Sequence, residues 1–373
     1  MDKETLKRLM EQEAQAVRLT TLQFVSLLVM PLLVMSILAG VIIFRDLIKL
    51  SELQLSNNAY IVAERTGAVV TELQKERGMS VGHIASEGRQ FAPELAAQRA
   101  LTDAVLEDAF AAGAEDLLAD LPEDLRAETA PRIDEIRAAL DALGAVRAEI
   151  DALDRPVRDV LGYYSPIVAD LLSFGDIQAT TASTTALTYT SLGYEALARS
   201  IEFAGQERAA GAQGFARGGF NEVVATRFRD LRTRQLALQE RFHDYVSPDL
   251  SAMLDAVNTG PIGLQVEWMR AIGSASVDSG DIQSITGPEW FATSTEYIEA
   301  LNAILSAVSA KIDAQTARVA QDARHEIYIV GGASIGVIIL SALFSWWQIH
   351  RIVMPLRKLT RGLQRLSRGQ TDV

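Results

Sequence analysis

Two uncharged apolar runs, residues 24–44 (FVSLLVMPLLVMSILAGVIIF) and 327–347 (IYIVGGASIGVIILSALFSWW), constrain this 373-residue chain more than any other feature. Each is 21 residues long, the length a helix needs to cross a bilayer. A cleaved signal peptide does not fit the first run. Its apolar stretch is too long, a mixed-charge segment of 23 residues precedes it, and no small-residue cleavage pattern follows before Arg45. The flanks set the orientation. Residues 1–23 carry four basic and four acidic groups, and residues 348–373 carry six basic groups against Asp372 alone. The short ends are the basic ones, which places both in the cytoplasm and the segment between them outside. That segment keeps 25 basic and 43 acidic residues, a formal charge of −18. An exterior of this sign argues against nucleic acid and anionic lipid as its partners. The expected layout is a cytoplasmic segment 1–23, a transmembrane helix 24–44, an exterior domain 45–326, a second transmembrane helix 327–347 and a cytoplasmic tail 348–373.

The exterior domain reads as all-α. Helical spacing continues from the first apolar run to about residue 86, so span and domain share one long helix. Gly88 and Pro93 punctuate the next connection, a helix follows over about 93–112, and Leu121-Pro122-Glu123-Asp124 opens another, with helical spacing over 125–154. Residues 167–216 contain no proline and predict one very long helix. Within it, hydroxyls crowd between Thr180 and Ser191, and such side chains bond back to the i−4 carbonyl while allowing close helix packing. Asn221 caps a helix to about Tyr245, and Ser247-Pro248-Asp249 starts the next. Residues 258–261 turn, residues 273–288 are the least regular stretch, and a last helix from about Glu289 runs into the second span.

Two arginines stand where this periodicity calls for hydrophobes. Val62, Thr66, Val69, Leu73, Arg77, Val81 and Ile84 form one stripe, and Leu197, Ile201, Gly205, Arg208, Ala212 and Phe215 form another. A guanidinium stays charged and is costly to bury alone, so each requires a carboxylate or an anionic ligand. Two readings stay open on the residues alone. Arg77 and Arg208 either pair with Glu72, Glu76, Glu202 or Glu207, or hold a small anion, with the glycines beside them leaving room for it. Lys75 and Gln74 are weaker candidates. The absence of cysteine excludes disulfides and thiolate metal sites. His83, His243, His325 and His350 make no metal spacing, and no catalytic or phosphate-loop motif appears, so neither metal, cofactor nor enzyme activity is expected.

The LQxERG.S element at Leu73 to Ser80 and the GQERA element at Gly205 to Ala209 resemble the nitrate- and nitrite-sensing domain of bacterial signalling receptors. The resemblance covers about residues 57–307. It implies two stacked four-helix bundles with nitrate or nitrite held by arginines, here Arg77 and Arg208. Beyond the second span, Pro355, Leu356, Leu359, Leu363 and Leu366 resemble the first helix of a HAMP relay module, which implies a homodimer. Together these resemblances imply a receptor of the bacterial inner membrane with a periplasmic sensor and cytoplasmic signalling partners. The expected output is that of a methyl-accepting chemotaxis protein, with a histidine kinase or nucleotide cyclase receptor as alternatives. A bundle binding another small anion, a peptide or a protein is the alternative of a different class.

Overall fold

The structure, a computed structural model, describes residues 3–110, 123–180, 184–348, 350–351 and 354. The HAMP-like helix expected from Pro355 and the start expected at Leu121-Pro122 lie outside the described residues. Among the described residues the chain is helical without strands: α1 (Lys3–Ala85), α2 (Ala92–Phe110), α3 (Glu123–Asp141), α4 (Leu143–Asp151), α5 (Val157–Thr180), α6 (Thr185–Ala216), α7 (Glu222–Tyr245), α8 (Pro248–Thr259), α9 (Pro261–Ser279) and α10 (Gly287–Gln348). The all-α expectation holds.

Two units divide the chain, residues 51–318 and a second made of residues 1–50 with 319–373. In the second unit, Arg45 on α1 donates to Glu326 on α10 at 2.9 Å and to Asp46 at 3.0 Å. Large apolar side chains stay exposed here, among them Leu33, Ile37, Val41 and Phe44 on α1 and Ile335, Ile339, Leu340 and Phe344 on α10. One stretch within α10 is long and apolar enough to cross a membrane by length and composition.

The unit of residues 51–318 has two cores. The first gathers Val69 and Leu73 from α1, Leu95 from α2, Ile133 and Ile136 from α3, Ile150 from α4, and Tyr164 and Leu171 from α5. With α3 and α4 in succession, these elements amount to four helical rods around one apolar interior. The second core is aromatic. Trp290 on α10 packs against Phe215 of α6 and Phe228 of α7, with ring centroids 5.6 and 5.3 Å apart, and Phe220 meets Phe228 at 5.2 Å. Burying each of these rings removes apolar area from water worth about 1.5–3 kcal/mol.

Caps explain the boundaries. Asn221 Oδ1 accepts from the Val224 amide at 2.9 Å, as its position ahead of α7 predicts. Thr286 and Glu289 form a capping box at the start of α10: Glu289 Oε2 accepts from the Thr286 amide at 2.7 Å, and Thr286 Oγ1 accepts from the Glu289 amide at 3.3 Å. The Thr286 amide and, at 2.9 Å, its hydroxyl both donate to the Glu289 carboxyl and hold it below its usual range.

Two expectations fail. The single helix over 167–216 is two, because Thr184 is extended (φ −140°, ψ 150°) and its hydroxyl caps α6 by accepting from the Leu187 amide. A hydroxyl that offers the backbone an alternative partner favours a helix start over a helix interior. Further on, Thr188 and Thr190 do bond back to the carbonyls of Thr184 and Ala186, at 3.1 and 2.9 Å. Residues 273–288 are also more regular than expected. Helix α9 continues to Ser279, stops at Gly280 in the left-handed region (φ 68°), and only the short connection before α10 is irregular.

Gly211 on α6 illustrates the tightness of the second core, since a Cβ there would lie 2.2 Å from Trp290 Nε1. Gly211→Ala should therefore lower the thermal midpoint. Overpacking costs about 1–3 kcal/mol, more than the ~1 kcal/mol of helix propensity that alanine returns. Thermal unfolding followed by circular dichroism checks this, and an unchanged or raised midpoint would contradict the packing.

Candidate functional site

The arginine stripes are buried as their spacing requires. Val69, Leu73, Arg77 and Val81 are each 0% exposed, and Leu197, Ile201, Arg208, Ala212 and Phe215 are all buried. The two guanidinium groups carry different partners.

Arg77 on α1 forks onto Glu202 of α6. Its Nη1 donates to Oε1 at 2.7 Å and its Nη2 to Oε2 at 3.2 Å, and Nη1 also donates to Ser165 Oγ of α5 at 3.0 Å. Two amides add to the same carboxylate: Gln74 Nε2 donates to Oε2 at 2.7 Å and Gln206 Nε2 to Oε1 at 2.8 Å. Glu202 thus accepts four hydrogen bonds, two of them from a cation, a strong arrangement for a carboxylate.

Arg208 lacks such a counterion. Among the described residues no carboxylate lies within ion-pair distance of it. Its Nη1 donates to Thr295 Oγ1 of α10 at 2.8 Å, and its guanidinium sits 4.6 Å from the centre of the Phe291 ring. The Nε of Arg208, like that of Arg77, is buried without a partner. Burial, and after it the neighbouring charge of Arg77, pulls the Arg208 pKa down to about 9. A desolvated cation beside a second cation is a costly arrangement, and a small anion between them would offset it.

The Arg208 surroundings are aromatic because the glycines beside the arginines admit protein groups. Gly78 faces Phe291 and Gly211 faces Trp290, whose Nε1 donates to the Arg208 carbonyl at 2.9 Å; Gly205 faces Arg77 and Gln74. The expectation that those glycines leave room for a ligand is thus corrected: they bring α1, α6 and α10 close enough for the arginines to approach each other. A cavity of about 60 Å³ adjoins Gln74, lined also by Thr66, Thr71, Tyr194, Ile201 and Asn302.

The other candidate partners are occupied elsewhere. Glu76 accepts from Arg147 Nε and Nη2 at 2.7 and 2.9 Å and from the Tyr164 hydroxyl at 2.8 Å. Glu207 accepts from Arg270 Nε and Nη2 at 2.8 and 2.6 Å and from Gln235 Nε2 at 2.8 Å. Glu72 accepts from Gln98 at 2.6 Å and pairs with Lys75. Against the burial that lowers them, Glu76 holds Arg147 and Glu207 holds Arg270 above the usual arginine range. Arg270 was legible in the sequence, since Gly263, Val266, Arg270 and Gly273 repeat the flagged stripe, and all four are buried. Arg147 follows Val146 at the edge of the α4 stripe and gave a weaker signal.

Comparison with known proteins bears on the family and the fold. The sequence model of the family described as nitrate and nitrite sensing matches residues 68–313, about two thirds of the chain. The nitrate regulatory protein of Klebsiella oxytoca is 26% identical over 243 residues, which are 65% of this chain and 59% of that protein, so the chain spans less than two thirds of that relative. The solved structure of the NasR transcription antiterminator superposes with a TM-score of 0.59 at 21% identity, covering 84% of this chain and 85% of that one, a likeness of fold.

These relatives correct two expectations. The output expected from the receptor resemblance, a chemotaxis protein or a receptor kinase or cyclase, is overturned by a nitrate regulatory protein and a transcription antiterminator. An input domain does not dictate its output, because function lies in sites carried by a fold and not in the fold. The exclusion of nucleic acid is overturned by the same antiterminator. The charge of one domain speaks only for that domain's own surface, not for what an attached domain engages.

The two arginines should respond oppositely to isosteric removal of charge. Arg77→Met strands the buried Glu202 carboxylate and should cost about 3 kcal/mol or more, whereas Arg208→Met removes an uncompensated charge and should be neutral or stabilising by about 1–2 kcal/mol in anion-free buffer. Thermal melts of both variants check the contrast. Equal destabilisation would mean that Arg208 has a carboxylate partner in solution.

Proposed function

The chain belongs to the nitrate and nitrite sensing family, and on that premise we propose that its helical domain is a receptor for nitrate or nitrite, bound between Arg77 and Arg208. One observation carries the proposal: a buried guanidinium, that of Arg208, without a carboxylate partner among the described residues and close enough to a second guanidinium to feel its charge.

The chemistry of the ligand fits the donors. Nitrate is planar and singly charged and presents pairs of oxygens to a rigid guanidinium fork, a match that lysine lacks. With Arg77, Arg208 and Glu202 as the buried charges, one monovalent anion brings the cluster to neutrality. The long-range field works against it, because the chain's net charge is −13. Affinity therefore comes from desolvated local donors, and association quickens as salt screens the repulsion. The signal is the difference in anion affinity between two arrangements of α1, α6 and α10, and a few kcal/mol suffices to shift it.

We propose also that residues 24–44 and 327–347 cross the bacterial inner membrane with the domain in the periplasm. The exposed apolar side chains on α1 and α10 support this, as does the apolar stretch within α10. The resemblance of the segment from Pro355 to a HAMP helix fits the same arrangement. Because the chain contains no cysteine, topology is directly testable. A membrane-impermeant maleimide should label Asp281→Cys in intact spheroplasts and should label Thr371→Cys only after lysis; the reverse would overturn the orientation.

Titrating sodium nitrate or sodium nitrite into the full chain in detergent micelles should give saturable heat with one anion per chain, abolished in Arg208→Ala. Heat from neither anion would overturn the receptor function. The response to pH has a defined sign. The folded pKa of Arg208, about 9, lies below its ordinary 12.5, so the penalty for its charged form is complete below pH 9 and fades as pH rises through that value. An anion offsets that penalty only while the group is charged. Stabilisation by nitrate should thus be constant between about pH 6 and 8 and decline above about pH 9, as thermal shift across that range will show.

A further inference from the structure

We propose that Glu202 is an intramolecular competitor of the anion: its carboxylate holds the Arg77 fork when no anion is bound, and nitrate or nitrite binds by exchanging with it there. The inference rests on the anion-receptor function above and assigns a role to a residue that function left unexplained.

The geometry is that of a ligand in its site. A carboxylate and a nitrate ion are both planar and both spread one negative charge over oxygens spaced to meet two parallel N–H donors. Glu202 meets Arg77 in this way, at 2.7 and 3.2 Å, and takes two further donors, Gln74 and Gln206, at 2.7 and 2.8 Å. These four N–H groups form an oxyanion cradle drawn from two helices, with a protein carboxylate as its occupant. The neighbouring carboxylates cannot play this part, because Glu76 and Glu207 are each clamped by their own arginine.

The exchange is electrostatically feasible. While Glu202 holds the fork, Arg77 has a counterion and Arg208 has none among the described residues. An incoming anion lets both guanidiniums share negative charge, and Glu202 need only leave the fork, not the neighbourhood. Its side chain is 8% exposed against 0% for that of Arg77. Gln206, one turn along α6, is half-buried and already bonded to it. A released carboxylate can thus turn towards solvent while keeping the Gln206 amide. Exchange would also replace the direct Arg77–Glu202 tie between α1 and α6 by one made through the anion.

A positioning role predicts the opposite of competition, which makes the idea testable by sign. In full-length protein in micelles, Glu202→Gln should bind nitrate at least tenfold more tightly than the wild type by calorimetry, since the amide keeps the shape and loses the charge. A Glu202→Ala variant supplies a second readout. Sodium formate, a free carboxylate, should raise its thermal midpoint and compete with nitrate for it, and should leave the wild-type midpoint unchanged. If the wild type binds nitrate but Glu202→Gln binds it equally or more weakly, or if formate leaves Glu202→Ala unmoved, the competitor role fails and the receptor function stands. If neither the wild type nor Glu202→Gln binds nitrate or nitrite, both fail together.

Discussion

Two guanidinium groups share one carboxylate inside the helical domain, and the rest of the site follows from that imbalance. Both arginines belong to Glu-Arg dipeptides, Glu76-Arg77 on α1 and Glu207-Arg208 on α6. Consecutive helical positions diverge by about 100°, so the members of each dipeptide face different neighbours. Each glutamate turns to another arginine, Arg147 for Glu76 and Arg270 for Glu207. Each arginine is thereby left without its nearest carboxylate. Of the glutamates on these two stretches, Glu202 is the one that meets a fork of the pair, and it goes to Arg77. Breaking either clamp would strand a buried charge at a cost of about 3–5 kcal/mol, so the clamps also fix the rotation of α1 and α6 that aims the arginines.

Much of this was legible from periodicity. A helix that keeps its apolar stripe in register through an arginine leaves that arginine nowhere to go but inward, and Thr66, Val69, Leu73, Arg77 and Val81 of the first stripe are buried, as is the second from Leu197 to Phe215. The helix starts at Asn221 and Pro248 were also readable, because capping is local chemistry. The break before α6 was not. Proline-free sequence allows a continuous helix, and whether Thr184 caps or continues depends on what α6 must pack against. The choice among Glu72, Glu76, Glu202 and Glu207 lay out of reach for a similar reason. Arg77 and Glu202 stand 125 residues apart, and nothing short of the packed bundle says which carboxylate meets which fork.

The output showed where such inference stops. Charge distribution and apolar length bear on where a segment can reside, and stripes bear on what it buries. Neither bears on what an input domain is joined to, and an antiterminator shares the fold of a chain whose ends resembled those of a receptor. An acidic domain surface constrains the contacts of that surface and no others.

The helices that meet at the site differ in one respect that bears on signalling. Arg77 comes from α1 and Thr295 and Phe291 from α10, the two elements that extend furthest beyond the domain, as unbroken helices of 83 and 62 residues. Arg208 and Glu202 come from α6, which begins and ends within it and is held there by the Glu207–Arg270 clamp and the packing of Gly211 on Trp290. An anion drawn between Arg77 and Arg208 therefore engages a helix confined to the domain on one side and one that continues beyond it on the other. A change in how α1 is tied to α6 falls on an element that leaves the domain. A competitor on the confined helix, released by the ligand, changes that tie at Arg77 and not at the Glu76 and Glu207 clamps.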